Sequence, residues 1–294
     1  MRGLLLAALS IAAIDAHGGV AAVDANGTKI ELAAPATRVV SLAPHATELL
    51  FAAGAGDGVV AVLAPADWPP GAAQLPRVGD ASAVNLEGIL ALKPDLIVTW
   101  PYLAPAQLER LRAMGVPVYL SNPSTPLAIA GEIEQLGMLT GHAEAAARAA
   151  TEYRARLDAA RQRAAGAARV RVFYEIWSHP LYTVGGGHLI TAAIEMCGGE
   201  NIFAALTLPA PQVSVEAVLA AAPDAIVAGA DDAVRPPWLD DWTAWRDLPA
   251  VARGNLFVVD ANLLHRSGPR FVEGVEQVCR VLAAARANVP RGKR

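Results

Sequence analysis

The feature that most constrains the fold is an internal repeat. Residues 84–100 read VNLEGILALKPDLIVTW and residues 213–229 read VSVEAVLAAAPDAIVAG, and the two segments align without gaps. Each begins with a helical pattern that carries a glutamate near its start, continues through a Pro-Asp turn and ends in a short apolar strand. Short buried strands that follow helices are typical of parallel sheets. Two copies of this unit therefore predict two similar α/β lobes.

A long helix is predicted between the two copies. The segment 141–166 has no proline or glycine between its terminal glycines and is rich in alanine and arginine, which favour helix. About 24 helical residues span roughly 36 Å, enough to pass behind two lobes. One more surface helix of a single domain is the alternative, and the repeat favours two lobes. We expect an N-terminal lobe at 23–140, this connecting helix, and a C-terminal lobe at 167–294, each lobe with a Rossmann-like parallel sheet.

Residues 1–22 are predicted to be a cleaved secretory signal peptide. Arg2 precedes the apolar run GLLLAALSIAAI, which is too short to span a bilayer easily. Small residues follow, with Ala16 or Ala22 as the last residue before cleavage. An uncleaved anchor or a buried helix is the alternative. The expected location is the periplasm.

The two cysteines, Cys197 and Cys279, both lie in the second half of the chain. Neither directly follows the apolar N-terminal run, so no lipid-anchor cysteine is expected. In an oxidising compartment, one disulfide within the C-terminal lobe is the natural pairing. Two buried free thiols are the alternative, and they require a reducing compartment.

Aromatic and imidazole side chains recur where predicted strands end. In open α/β sheets, ligands bind outside the carboxyl ends of the strands. Aromatic faces with a few polar groups suit a large, flat, partly apolar ligand between two lobes, whereas loop packing is the alternative for any single residue. One of these residues is predicted in a turn that precedes a helix beginning at Glu48. The candidate ligand-binding residues are His45, Trp68, Trp100, Tyr102, Trp177, Tyr182, His265 and Arg266.

Other functional classes find little support in the sequence. The formal net charge is −4, and no basic block precedes the C-terminal RGKR, which argues against nucleic-acid binding. His188 and Glu195 lie two helical turns apart and cannot share one small ion without a third element. The chain shows neither a glycine-rich phosphate loop after its first buried strand nor a nucleophile elbow. We therefore expect a binding protein, with no catalytic residues and no catalytic cofactor, rather than a metal-dependent enzyme.

Five segments together resemble a known family. RVVSLAPHATELLFAAG, DWPP, VNLEGILALKPDLIV, CGGENIF and PQVSVEAVLAAAPDAIV are similar to the helical-backbone, class III periplasmic binding proteins of ABC importers, and in particular to their cobalamin-binding branch. That family carries cobalamin, haem and iron–siderophore complexes. The resemblance implies two lobes joined by a rigid helix, limited lobe closure and a ligand in the cleft.

The resemblance also implies roles for individual residues. Glu87 and Glu216 match the positions where the family places one exposed carboxylate on each lobe, which meets arginines of the permease dimer in the inner membrane. Cys197 and Cys279 match the disulfide pair of the cobalamin-binding branch. The protein is expected to act as a monomer.

The cargo implied by the resemblance is a cobalt corrinoid, cobalamin or a relative. Haem or a ferric siderophore is the alternative, because Ala81, Ala210 and Leu263 stand where the cobalamin-binding branch carries tryptophans. This chain also has additional histidines, which are His45, His179, His188 and His265. Coordination of the cargo metal by His45 or His265 is left open.

Overall fold

Two parallel β-sheets form the framework of the chain. One is built from strands that precede a long helix in the sequence, and the other from strands that follow it. The computed structural model describes residues 18–80 and 82–288; the signal-peptide prediction for 1–22 falls mostly outside them and stays a prediction. In chain order, the elements up to and including the long helix are β1 (Val20–Val23), β2 (Lys29–Leu32), β3 (Val39–Ser41), α1 (Pro44–Ala52), β4 (Val59–Ala64), β5 (Arg77–Asp80), α2 (Leu86–Ala91), β6 (Leu96–Thr99), α3 (Pro105–Ala113), β7 (Val118–Leu120), α4 (Pro126–Leu139) and α5 (Ala143–Ala164). The elements after it are β8 (Val170–Glu175), β9 (Trp177–Ser178), β10 (Leu181–Tyr182), α6 (Leu189–Met196), β11 (Gly199–Asn201), α7 (Val215–Ala221), β12 (Ala225–Ala230), α8 (Pro249–Ala252), β13 (Leu256–Asp260), α9 (Ala261–Leu264) and α10 (Phe271–Ala287).

The sheet of the first half has the strand order β5-β4-β3-β6-β7, and that of the second half has the order β11-β8-β12-β13. All strand pairs within these two sheets are parallel. Their central strands are buried on both faces, as Val39 and Val40 show with no exposed surface, because helices cover both sides. The predicted fold class is confirmed. Within the described residues, no helix is both long and apolar enough to cross a membrane.

The aspartates of the two repeat copies make equivalent contacts. Asp95 accepts a hydrogen bond from the backbone N–H of Arg38 at 3.0 Å, and Asp224 accepts one from the backbone N–H of Arg171 at 3.1 Å. Arg38 directly precedes β3, and Arg171 is the second residue of β8; each strand is an inner strand of its sheet. The Pro-Asp turn of each copy therefore fixes where that strand begins, and so where its carboxyl end lies.

Helix α5 packs against both lobes. Its buried face is mostly alanine, which allows close approach of the neighbouring helices, and consists of Ala146, Ala150, Tyr153, Leu157 and Ala160. Arg154 donates to both carboxylate oxygens of Glu134 on α4, at 2.6 and 2.7 Å. Arg156 donates to both oxygens of Glu276 on α10, at 3.1 and 3.0 Å. Bidentate arginine–carboxylate pairs restrict orientation as well as distance, so the helix is held to each lobe in a defined geometry.

A disulfide joins Cys197, at the end of α6, to Cys279 on α10, which confirms the predicted bond. Arg286, the penultimate residue of α10, donates hydrogen bonds to the carbonyl oxygens of Cys197 at 2.7 Å and Gly198 at 3.0 Å. The last helix is thus attached to α6 at two points.

Candidate functional site

The two lobes face each other across a cavity of about 500 Å³. Its walls come from the segments that follow β4, β6 and β7, from the first turns of α1 and α6, and from the end of α9. The lining residues are Pro44, His45, Pro65, Trp100, Tyr102, Asn122, Pro123, Ser124, Gly187, His188, Leu189, Pro209, Leu264, His265, Arg266 and Ser267. The cavity lies at the carboxyl ends of the parallel strands, where ligands of such sheets bind.

His45 lies in the first turn of α1, not in a turn that precedes a helix starting at Glu48, so that prediction is wrong. Pro44 occupies the first helical position. A proline there suits the helix, because its φ is already helical and the first N–H would have no intrahelical partner. His45 is buried, and its Nε2 lies 3.3 Å from the carbonyl oxygen of Ser121. Burial lowers its pKa to about 4, so the imidazole is neutral at neutral pH.

An aromatic wall continues from His45 along the N-terminal lobe. The ring of Trp100 is 6.2 Å from that of His45 and tilted by 45°. Tyr102 stands edge-on to Trp100 at 6.0 Å and is 72% exposed. This arrangement offers aromatic surface to a ligand in the cavity.

The C-terminal lobe contributes two histidines. The Nδ1 atom of His188 accepts a hydrogen bond from the backbone N–H of Ile190 at 3.1 Å and so caps α6. Burial, together with the nearby His265, lowers the pKa of His188 to about 4. The Nε2 atom of His265 lies 3.1 Å from the hydroxyl oxygen of Tyr174. Withdrawal from water lowers the pKa of His265 as well, against the opposite effect of two nearby aspartates.

Ion pairs connect the two lobes beside the cavity. Arg266 donates to both oxygens of Asp67, at 2.5 and 3.0 Å, and this pairing holds the pKa of Asp67 below its usual range. Arg270 donates to both oxygens of Glu48, at 3.0 and 2.7 Å. The Glu48 side chain is only 1% exposed, and the guanidinium of Arg270 also lies over the ring of Trp68 at 4.7 Å. The lobes are therefore tied together by four charged side chains.

Five of the eight predicted ligand-binding residues line the cavity, namely His45, Trp100, Tyr102, His265 and Arg266. The other three lie outside its lining. Trp68 stacks under an arginine, as described above. Trp177 and Tyr182 pair with each other in the β9–β10 hairpin, and the Trp177 side chain is 59% exposed with its indole N–H bonded to the His179 carbonyl oxygen at 2.9 Å. Roles in ligand binding for these three stay predictions.

The sequence marks His188 as one of the additional histidines, but the strand-end rule does not place it among the eight candidate ligand-binding residues. The available signal was its position between Gly185-Gly-Gly187 and the apolar run LITAAIEM, which is the position of a helix-capping residue. The apolar contribution of Pro209 follows no strand end and leaves no comparable signal. Among residues 18–80 and 82–288, no cluster of three or more histidine, cysteine or acidic side chains is arranged to hold a metal ion.

The glutamates of the repeat occupy matching positions on the surface. Glu87 is the second residue of α2, whose first turn is capped by the Asn85 side chain. Glu216 is the second residue of α7, capped in the same way by Ser214. Both glutamates are exposed, and the hydrogen bonds to its carboxylate lower the pKa of Glu216.

Comparison with known proteins agrees with this architecture. Residues 39–263 match the model of the family described as periplasmic binding protein. The vitamin B12-binding protein of Vibrio cholerae is 40% identical over 246 residues, which cover 83% of this chain and 88% of the relative. The crystal structure of periplasmic vitamin B12-binding protein BtuF of Vibrio cholerae matches with a TM-score of 0.77, over 85% of this chain and 98% of that one. The periplasmic haem-binding protein RhuT from Roseiflexus sp. RS-1, in apo form, is 26% identical with a TM-score of 0.72, and the match covers 85% of this chain and 98% of that one. The chain belongs to the periplasmic binding protein family.

Proposed function

We propose that this protein is the periplasmic receptor that captures a corrinoid, cobalamin or a close relative, and delivers it to an ABC importer in the inner membrane. The observation that carries the proposal is the cavity between the lobes, with its aromatic and imidazole lining, in a chain 40% identical to a vitamin B12-binding protein. The protein acts by reversible binding, without turnover of the cargo.

The lining suits a corrinoid in its chemistry. A corrin is a wide, flat ring whose faces are largely apolar and whose edge carries amide groups. Trp100 and Tyr102 offer aromatic surface, and prolines and leucines supply most of the remaining apolar lining. Asn122, Ser124 and Ser267 supply hydrogen-bonding groups, which such sites use to fix orientation.

A visible-absorption titration of the purified protein with cobalamin, cobinamide, haemin and a ferric siderophore, each checked by equilibrium dialysis, tests this function. Saturable one-to-one binding of a corrinoid, recovered unchanged, is the expected result. Binding of haemin or the siderophore alone, or conversion of the corrinoid, would refute it.

A pair of tryptophan variants then tests whether the cavity is the site. We expect Trp100→Ala to weaken corrinoid binding by roughly threefold to tenfold, which corresponds to the loss of one aromatic contact. Trp177→Ala is the comparison variant. Because Trp177 lies outside the cavity lining, we expect no change, and that result would also contradict the predicted ligand-binding role of Trp177. Equal losses of corrinoid affinity in both variants would contradict the assignment of the cavity as the binding site.

Haem is the second candidate cargo. The observation that favours it is the presence of three histidines in the cavity, since haem iron accepts an imidazole ligand. The haemin arm of the titration decides between the two cargoes.

We further infer that Glu87 and Glu216 dock the receptor on the permease. Two exposed carboxylates at matching positions on two similar lobes suit a partner with two-fold symmetry, and charge pairs set orientation and association rate. The double change Glu87→Arg/Glu216→Arg should abolish uptake while cargo affinity stays unchanged. Glu109→Arg/Glu144→Arg reverses two other exposed glutamates and serves as the control, which should transport normally. Normal uptake in the first variant, or equal loss in both, would contradict this role.

A further inference from the structure

The three histidines of the cavity differ in what they present to a ligand. A neutral imidazole carries one N–H group and one nitrogen lone pair, and the partner of one nitrogen decides which of the two remains for the ligand. Only a nitrogen with a free lone pair can coordinate a metal.

His188 presents an N–H group. Its Nδ1 accepts from the backbone N–H of Ile190, so this nitrogen carries no proton and its lone pair is already used. The proton of the neutral ring therefore lies on Nε2.

His265 also presents an N–H group. Tyr174 is fully buried, and its hydroxyl has no hydrogen-bond partner among the described residues other than His265 Nε2. Because a buried hydroxyl needs an acceptor for its proton, Tyr174 donates to Nε2, and the proton of neutral His265 lies on Nδ1.

His45 presents a lone pair. The carbonyl oxygen of Ser121 can only accept, so His45 Nε2 carries the proton and donates it there. His45 Nδ1 then has a free lone pair. This nitrogen has no hydrogen-bond partner among the described residues, and it is not one of their fully enclosed unpaired nitrogen and oxygen atoms. Because His45 lines the cavity, Nδ1 is the nitrogen that remains for a ligand there.

On this ground, and resting on the proposed corrinoid cargo, we propose that His45 Nδ1 coordinates the cobalt of the cargo at an exchangeable axial position and makes the receptor selective for corrinoids that have such a position. In aquacobalamin the cobalt–water bond breaks, the Nδ1 lone pair forms a cobalt–nitrogen bond, and the water leaves. The oxidation state does not change, and the Nε2 proton stays on its bond to Ser121. In cyanocobalamin, tightly bound cyanide occupies that position.

The experiment compares aquacobalamin with cyanocobalamin in wild-type protein and in His45→Ala, by equilibrium dialysis and visible absorption. Wild type should bind aquacobalamin at least about tenfold more tightly than cyanocobalamin, with shifted visible bands for aquacobalamin alone. His45→Ala should lose both the preference and the shift, so that its affinities for the two corrinoids become equal. His265→Ala is the matched control and should keep the band shift.

The outcomes separate this inference from the function on which it rests. Equal affinity of wild type for the two corrinoids, without a band shift, would overturn the coordination and leave the corrinoid receptor standing. A shift that persists in His45→Ala and disappears in His265→Ala would overturn the assignment of the ligand. Failure of both corrinoids to bind wild type would refute the proposed function itself.

Discussion

Replacing Arg270 with methionine should leave a buried carboxylate without its principal partner. Glu48 on α1 has a side chain that is 1% exposed, and Arg270 gives it two hydrogen bonds across the boundary between the lobes. Methionine keeps much of the apolar stem of arginine but carries no charge. The change therefore isolates the loss of the cation.

The expected cost follows from these contacts. Removing one partner of a buried ion pair destabilises a protein by about 3–5 kcal/mol, because the remaining charge lies away from water. Arg266 Nη1, at 3.5 Å from Glu48 Oε1, still offers partial compensation, which favours the lower end of that range. Loss of the cation over Trp68 adds roughly 0.5–1 kcal/mol. We expect Arg270→Met to lower the free energy of unfolding by about 3–4 kcal/mol.

Urea unfolding followed by far-UV circular dichroism measures this change as a lower midpoint with an unchanged slope. The double variant Glu48→Leu/Arg270→Met, which removes both charges, should recover most of the loss. Lys29→Met is the surface control, because the pair Lys29–Glu31 is about two-thirds exposed on both sides, and we expect a change of no more than about 1 kcal/mol. A loss below about 1 kcal/mol in Arg270→Met, or a double variant no more stable than the single one, would refute the reasoning.

Three further predictions concern the disulfide, a buried acid and the N-terminus. Replacing both cysteines with alanine should cost about 2–4 kcal/mol in urea unfolding, since the bond closes a loop with a sequence separation of 82; an unchanged midpoint would contradict this. Burial raises the pKa of Glu175 to about 7, although a hydrogen bond from Trp242 acts to lower it. Between about pH 4.5 and pH 7 the folded protein therefore keeps a proton on Glu175 that the unfolded chain has lost. Stability contributed by this group therefore falls as pH rises toward 7, by up to about 3 kcal/mol, and Glu175→Gln should gain relative to wild type between about pH 5 and pH 8; a constant difference would count against it. Intact-mass measurement of the exported protein should place cleavage after Ala16, because cleavage after Ala22 would remove most of the paired strand Val20–Val23.

The parts of the fold that follow from local patterns could be predicted, because each signal lies within one continuous segment. Such signals are present in each copy of the repeat, in the segment between Gly141 and Gly166, and in the apolar strands. Strand β11 could not be predicted, since its sequence Gly-Glu-Asn has little strand propensity and it forms by pairing with β8. Helix α1 begins at Pro44, four residues before the predicted start at Glu48, because a proline suits the first helical position as well as a turn.

Residues of the candidate site could be predicted only where they follow a strand of one of the two parallel sheets. Trp100 directly follows β6, and His265 follows β13 after the four-residue helix α9, so both agree with the strand-end rule. Trp177 also follows a strand, but the tight β9–β10 hairpin places it outside the cavity lining, and no pattern in a single segment encodes that direction. His188 lies in the cavity through the cap of a helix, a position that the strand-end rule does not consider.

The attachment of α5 to both lobes has a consequence for the energetics of ligand capture. A receptor whose lobes swing freely loses conformational entropy each time it closes on a ligand, and this loss weakens binding. Here Arg154 and Arg156 bind the helix to α4 and α10 before any ligand arrives. We therefore expect much of this loss of conformational entropy to occur when the protein folds. We therefore expect differences in affinity between ligands to arise mainly from how fast each one leaves.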